Sequence, residues 1–238
     1  MTFIASLEAA AAGYGLDLSP VQLEAFAVYN EMLVDWNEKV NLTAITSPQE
    51  VAVKHIIDSL TCYDEGVFPA ACSLVDVGTG AGFPGLPLKI FRPDIRLVLL
   101  DSLNKRLSFL GAVVERLGLR GVELVHARAE EAGRLKGRRE HYQLATSRAV
   151  ARLNVLAELC LPLVAVGGSF IALKGAQYQE ELAEAERAIA LLGGQVDTVK
   201  PVRLPGLDDT RAVIYVRKTA PTPAAYPRRP GLPEKKPL

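Results

Sequence analysis

The stretch of this 238-residue chain best equipped for chemistry is Asp76-Val77-Gly78-Thr79-Gly80-Ala81-Gly82-Phe83-Pro84-Gly85. Leu74 and Val75 precede it as an apolar run, and Leu86, Leu88 and Ile90 follow at spacings that suit a helix, so the segment reads as strand, loop and helix. Glycines one residue apart let the backbone take positive φ and bring its N–H groups close to a ligand, because no Cβ intervenes. Two cofactor readings compete. From Gly80 to Gly85 the residues spell a dinucleotide fingerprint, with Asp101 further along as its acidic partner. From Asp76 they spell Asp-x-Gly-x-Gly-x-Gly, with a carboxylate at the strand end. Charge separates the two. A pyrophosphate needs bare N–H groups at a helix start, whereas a cofactor carrying an ammonium and a sulfonium welcomes a nearby carboxylate. An isolated loop of this kind also serves as a plain tight turn.

The Asp76 form is the one seen in S-adenosylmethionine-dependent methyltransferases. Ile95, Leu97, Val98, Leu99 and Leu100 make a second apolar strand ending at Asp101. A carboxylate there faces the same crevice as the glycine loop and suits both hydroxyls of a ribose; its alternative is an i,i+4 partner for Lys105. The fourth predicted strand ends Thr146-Ser147-Arg148-Ala149. Enzymes that methylate exocyclic base amines carry Asn or Asp, Pro, Pro and an aromatic at that place, and this chain does not. Of the three histidines, His126 ends a strand and reads as core, while His55 shares a helix with Asp58.

These groups need a scaffold, and the pattern supplies an α/β one. Strands are predicted near 73–77, 95–100, 122–126, 142–146, 167–173, 195–202 and 212–217, alternating with helices as a parallel sheet requires. Leu103, Leu107, Leu110, Val114 and Leu117 give a helix over 104–117 with one buried face. Glu180, Glu181, Glu184 and Glu186 read as the solvated face of a later helix. Seven strands ending in a close pair suit a methyltransferase sheet better than a dehydrogenase sheet. Before the sheet, Ser19-Pro20-Val21-Gln22 and Ser47-Pro48-Gln49-Glu50 each predict a helix opened by a capping box, joined by a polar connection from Trp36 to Thr43.

A composition of 49% hydrophobic and 6% aromatic residues sustains a large core and excludes a disordered chain. No run is apolar enough to span a bilayer and the N-terminus lacks a secretory signal, so a cytoplasmic protein is expected. Cys62, Cys72 and Cys160 lack metal spacing and read as reduced core thiols; no metal site is expected. Net charge is zero, but from Arg217 onwards six basic residues face one acid, leaving the rest of the chain at minus five. That tail is proline-rich and is expected to be extended. It suits a phosphate backbone through Arg228, Arg229, Lys235 and Lys236, or is merely a solvated terminus.

Taken together, Asn41-Leu42-Thr43, His55 to Leu60, Asp76 to Gly85, Asp101-Ser102 with Lys105-Arg106, Arg128-Ala129-Glu130, Ser147 to Val150, Leu173-Lys174-Gly175 and Tyr226 to Pro233 resemble the bacterial small-subunit ribosomal RNA methyltransferase G family, also called glucose-inhibited division protein B. The resemblance covers nearly the whole chain. It implies a class I S-adenosylmethionine-dependent fold, a Rossmann-like doubly wound sheet with an N-terminal helical extension, and methyl transfer to N7 of a guanine in 16S ribosomal RNA. It places Gly78 and Phe83 against the cofactor, Ala129 and Glu130 near its adenine, and Arg148 at the site; Asp76, Gly80 and Asp101 join them from the residue reading. His55 is expected at the pocket mouth, and Lys174, Lys105, Arg106, Arg228 and Arg229 on the RNA, with Lys174 foremost. Guanine N7 has a lone pair and no proton to lose, so in-line transfer without a general base is expected. The expected divisions are a helical extension over 1–66, a cofactor-binding domain over 67–218 and a tail over 219–238, in a monomer acting on 16S RNA or the small ribosomal subunit. A nicotinamide oxidoreductase and a non-catalytic RNA-binding factor are the competing classes.

Overall fold

The computed structural model describes residues 2–238. A helix absent from the sequence reading comes first: α1, Phe3–Tyr14, capped by the Thr2 hydroxyl and closed by Gly15 at φ +79°. α2, Pro20–Val40, opens on the predicted capping box, with Ser19 N donating to Gln22 Oε1 at 2.8 Å and Gln22 N to Ser19 Oγ at 3.3 Å. It runs straight through Trp36, where a polar connection was expected. The Trp36 ring packs 5.7 Å from that of Phe109, which keeps the helix apolar on one side to its end. Asn37 stops it, its Oδ1 accepting from the N–H groups of Leu42 and Thr43.

The second predicted helix, α3 over residues 48–60, is continuous but π-wound in its middle, Val51–Ile57. Its expected capping box closes only between side chains, Ser47 Oγ donating to Glu50 Oε2 at 2.8 Å. Widened helical turns of this sort recur at functional sites, and this one carries His55.

β1 (Ser73–Val77), α4 (Gly85–Phe91), β2 (Arg96–Asp101), α5 (Asn104–Arg116), β3 (Val122–His126), α6 (Ala129–Ala132) and β4 (Tyr142–Arg148) form the first half of the sheet. α7 (Leu153–Cys160), β5 (Val164–Lys174), α8 (Tyr178–Leu191), β6 (Gly194–Val202) and β7 (Arg211–Lys218) complete it, and one turn, α9 (Leu232–Lys235), ends the chain. The strands fall where the sequence places them, with β5 starting earlier. Their order is β3-β2-β1-β4-β5-β7-β6, parallel except for β7, which runs antiparallel to both neighbours.

One core layer joins α1 to α5 to one face of the sheet and includes Phe26, Tyr29, Ile56, Phe83 and Phe109; the other lies under α7 and α8. Cys62, Cys72 and Cys160 are buried free thiols, as the composition suggests, and burial pushes each of them up. No described helix is long and apolar enough to cross a membrane.

The tail is not a solvated terminus. Arg139 donates to the carbonyls of Thr222 and Tyr226, each at 2.7 Å, and Arg134 to that of Ala225 at 2.9 Å. The buried Lys218 ammonium adds bonds to Leu161 O, Leu192 O and the Thr222 hydroxyl. Prolines prevent a long helix there, but side chains from the body satisfy the backbone that proline leaves unpaired.

Candidate active site

At the carboxyl ends of β1 to β4 lies a cavity of about 530 Å³, within the size range of small-molecule sites. Gly78, Gly80, Phe83, Asp101, Ala129, Glu130 and Arg148 line it, so seven of the eight expected cofactor residues come together. The loop needs its glycines in specific ways. A Cβ on Gly78, at φ +68°, would sit 2.6 Å from Val150 Cγ2; on Gly82, at φ +99°, it would sit 2.7 Å from the Tyr29 hydroxyl. Tyr29 donates that hydroxyl to Ala81 O, pinning the loop from α2. Sequence reading missed Tyr29, since its spacing in α2 marks it only as core.

Asp76 is the expected cofactor residue that does not line the cavity. It lies wholly buried beneath the loop, where Oδ2 accepts from the Thr79 hydroxyl at 2.6 Å and from Gly85 N at 3.0 Å, while Oδ1 has no partner among the described residues. The loop curls around the carboxylate because its own donors bind it. Burial raises the Asp76 carboxyl to about 6, against the pull of these two hydrogen bonds. The same geometry separates the two cofactor readings. Gly85 begins α4, and its N–H, which a pyrophosphate would require, is already given to Asp76.

Asp101, 3% exposed, accepts from Gly80 N at 2.9 Å and Leu103 N at 2.8 Å. Its cationic neighbour is Arg106 at 3.4 Å, not Lys105, which is exposed. Glu130, near the start of α6, is buried and accepts from Gly231 N at 2.9 Å. The tail therefore reaches the cavity, and Gly231, Pro233 and Glu234 line it. No sequence signal reveals this, because the contact spans a hundred residues.

At the end of β4, Arg148 donates to Asp58 Oδ2 at 2.6 Å and to Lys54 O at 3.2 Å, and its guanidinium lies 5.1 Å from the centre of the Phe83 ring. Arg211 holds the other Asp58 oxygen at 3.1 Å. His55 also packs on Phe83, its ring centre 4.5 Å from that of Phe83, with Nε2 at 2.9 Å from the Thr43 hydroxyl. Burial, and then the Arg148 charge, lower His55 to about 4, so the ring is neutral at pH 7. Leu42, Thr43 and His55 line the cavity, so the N-terminal helices build one wall of it.

The expected RNA residues divide. Lys105 and Arg229 are exposed, and Arg106 borders the cavity. Lys174, the foremost expectation, is spent inside the protein: its ammonium pairs with Glu181 at 2.6 Å and donates to Ala151 O at 2.9 Å, with 7% of its side chain exposed. Glu181 accordingly turns inwards, out of the predicted solvated face of α8. Arg228 is likewise spent, its guanidinium and its N–H both bound to Glu158, which is 1% exposed. His126 is exposed rather than core, because Nε2 reaches Ser102 O at 3.0 Å on the rim.

The strand order, the reversed β7 and a cavity rimmed by a glycine loop and two buried carboxylates, Asp101 and Glu130, define a class I S-adenosylmethionine-dependent methyltransferase fold. Solved structures share it. The 16S rRNA (adenine(1408)-N(1))-methyltransferase from Catenulisporales acidiphilia aligns over 64% of this chain and 90% of its own, at 18% identity and a TM-score of 0.53. A predicted O-methyltransferase from Agrobacterium tumefaciens aligns over 69% and 80%, at 19% identity and a TM-score of 0.51. Residues 22–208 match the family model for GidB, rRNA small subunit methyltransferase G. Ribosomal RNA small subunit methyltransferase G from Lactobacillus johnsonii is 52% identical over 95% of this chain and 96% of its own, and that from Desulforamulus reducens 47% identical over 98% and 97%. The chain belongs to the rRNA small subunit methyltransferase G family.

Proposed function

We propose that this chain transfers a methyl group from S-adenosylmethionine to N7 of a guanine in 16S ribosomal RNA. The observation that carries the cofactor is the set of carboxylate acceptors. Asp101 and Glu130 offer acceptors to hydroxyl and amino groups, and Asp76 holds negative charge beneath the loop while denying a phosphate the N–H of Gly85. Asp101 would take the ribose hydroxyls, Ala129 and Glu130 the adenine, and the open backbone of Gly78 and Gly80 the body of the ligand. When bound, S-adenosylmethionine supplies an electrophilic methyl group on a positive sulfur.

The rest of the site positions rather than titrates. Ser147 donates its hydroxyl to Val77 O at 2.8 Å, and Arg148 is tethered to Asp58, so neither is a base for the substrate. A neutral His55 adds no charge at the mouth. Guanine N7 has no proton to remove, and alignment alone can supply roughly 7–11 kcal/mol of barrier lowering. Tethering also keeps the Arg148 fork from the bidentate O6/N7 contact that would mask the reacting nitrogen. Lys105, Arg106 and Arg229, with Lys235 and Lys236, are the cations assigned to RNA phosphates. The helical extension over 1–66, the cofactor-binding domain over 67–218 and the tail over 219–238 act as one monomer in the cytoplasm, on free 16S RNA or on the small subunit. Even charge balance and the lack of a coiled-coil pattern support the monomer.

Calorimetric titration of S-adenosylmethionine and of NAD tests the reading of the pocket. The expected result is binding of the first alone, with Asp101→Asn raising its Kd at least tenfold while the melting temperature stays within a few degrees. Binding of NAD without S-adenosylmethionine would return the loop to the oxidoreductase reading.

A further inference from the structure

The tail that the sequence marks as basic meets the cavity through its least basic part. Among the described residues, the tail groups that line the cavity are Gly231, Pro233 and Glu234; Arg228, Arg229, Lys235 and Lys236 do not. Glu234 is the tail's single acid, so the one charged tail side chain at the cavity is a hydrogen-bond acceptor and not one of the cations.

Two anchors fix this segment. Arg228 grips Glu158 of α7, with Nη2 at 2.6 Å from Oε2 and the Arg228 N–H at 2.7 Å from Oε1. Neighbours of Glu158 on α7, Val155 and Leu159, line the cavity themselves. Three residues beyond Arg228, the Gly231 N–H donates to Glu130 Oε1 at 2.9 Å. Gly231 takes φ +76°, a left-handed turn that directs the chain into α9 and that side chains disfavour. Among the described residues no other hydrogen bond reaches the Glu130 carboxylate. The tail thus sets the rotamer of the carboxylate and leaves its second oxygen uncommitted.

We propose that residues 228–234 are a wall of the cofactor site: Arg228 anchors the segment, Gly231 orients Glu130, and Pro233 with Glu234 closes the end of the cavity that takes the adenosyl group. This rests on the S-adenosylmethionine reading of the pocket. The tail is then a binding element for the methyl donor first, and its exposed cations act on RNA only from the outer side of that wall.

The test is calorimetric titration of S-adenosylmethionine and of 5′-methylthioadenosine into the full chain and into a chain ending at Pro230, which keeps the Arg228 anchor. Truncation is expected to raise both dissociation constants by the same factor, at least tenfold, with the melting temperature retained. Equal loss for the ligand that lacks the amino-acid moiety is what locates the wall at the adenosyl end, and a general loosening of the fold would not produce it together with an unmoved melting temperature. Should the truncated chain melt early, Pro233→Gly in the full-length protein decides the matter by a smaller shift, threefold or more, in the same direction. Unchanged affinity in a folded truncated chain, or in that variant where the truncated chain melts early, would overturn the proposal. Failure of the full chain to bind either ligand would overturn the pocket reading itself, and the two failures are distinguished by the behaviour of the full chain.

Discussion

The glycine loop and the C-terminal tail are each organised around a buried carboxylate, Asp76 in one and Glu158 in the other, yet the two are satisfied in opposite ways. Glu158 meets a guanidinium that engages both of its oxygens. Asp76 meets a hydroxyl and one N–H, keeps one oxygen unpartnered among the described residues, and is raised to about 6 by burial. A buried charge with its counter-ion is a clamp, and removing one partner strands the other. A buried charge held only by neutral donors stays poised towards whatever cation arrives next. The first arrangement fixes a tail; the second suits the floor of a pocket for a sulfonium.

The sharpest break of this comparison is to remove one charge from each place, the counter-ion in the tail and the carboxylate itself under the loop. Arg228→Ala leaves Glu158 charged and without its partner, and is expected to cost about 3–5 kcal/mol in urea unfolding. Asp76→Asn keeps an oxygen for Thr79 and Gly85 while removing a charge that burial disfavours, so stability at pH 7 is expected to hold or rise, and affinity for S-adenosylmethionine to fall tenfold or more. Similar stability losses in both variants would erase the distinction drawn between clamp and floor.

The pH dependence of stability tests the same contrast at slightly smaller scale. The folded value of Asp76 lies above its usual 3.8, at about 6, so its contribution is full below pH 4 and lost as pH rises through 6. The folded value of His55 lies below its usual 6.5, at about 4, so its contribution is full above pH 6.5 and lost as pH falls through 4. Each shift is worth about 3 kcal/mol, and in the native protein the two slopes oppose one another. His55→Gln is expected to expose a stability that falls from pH 4 to pH 6, and Asp76→Asn one that falls from pH 6.5 to pH 4. Unfolding curves of the two variants that show the same slope would contradict the assignment.

The smallest effect concerns cations that look alike in sequence. Lys105→Ala is expected to weaken RNA binding a few-fold and to reduce the slope of log affinity against log salt by about 1, with stability unmoved. Lys174→Ala is expected to leave that slope alone and to destabilise the fold by stranding Glu181. A reduced salt slope from Lys174→Ala would restore it to the RNA surface.

The features divide by whether their signal in the sequence is local. The strands, the glycine loop and Asp101 were legible because strand alternation, glycine spacing and strand-end position are local signals. Trp36 misled because a polar stretch around one aromatic looks like a loop until Phe109 is seen to cover it. Arg228 and Lys174 misled because composition counts a cation without its counter-ion, and both counter-ions come from elsewhere in the fold, Glu158 on α7 and Glu181 on α8. Asp76 lies beneath the loop and not on the cavity wall, since nothing in its motif says which way a loop closes over a carboxylate. The Gly231 contact with Glu130 was invisible for a different reason, as a glycine N–H has no signature in sequence.

On the proposed function, this cavity presents a methyl donor to a guanine in small-subunit RNA. Incubating the full chain with methyl-labelled S-adenosylmethionine and unmethylated small ribosomal subunits, or their extracted 16S RNA, and then mapping the labelled nucleotide tests it directly. Label is expected to be confined to N7 of guanine and to be lost in Asp101→Asn at limiting donor concentration. Label on an exocyclic amine, or none from a chain that binds the donor in the presence of both substrates, would contradict it.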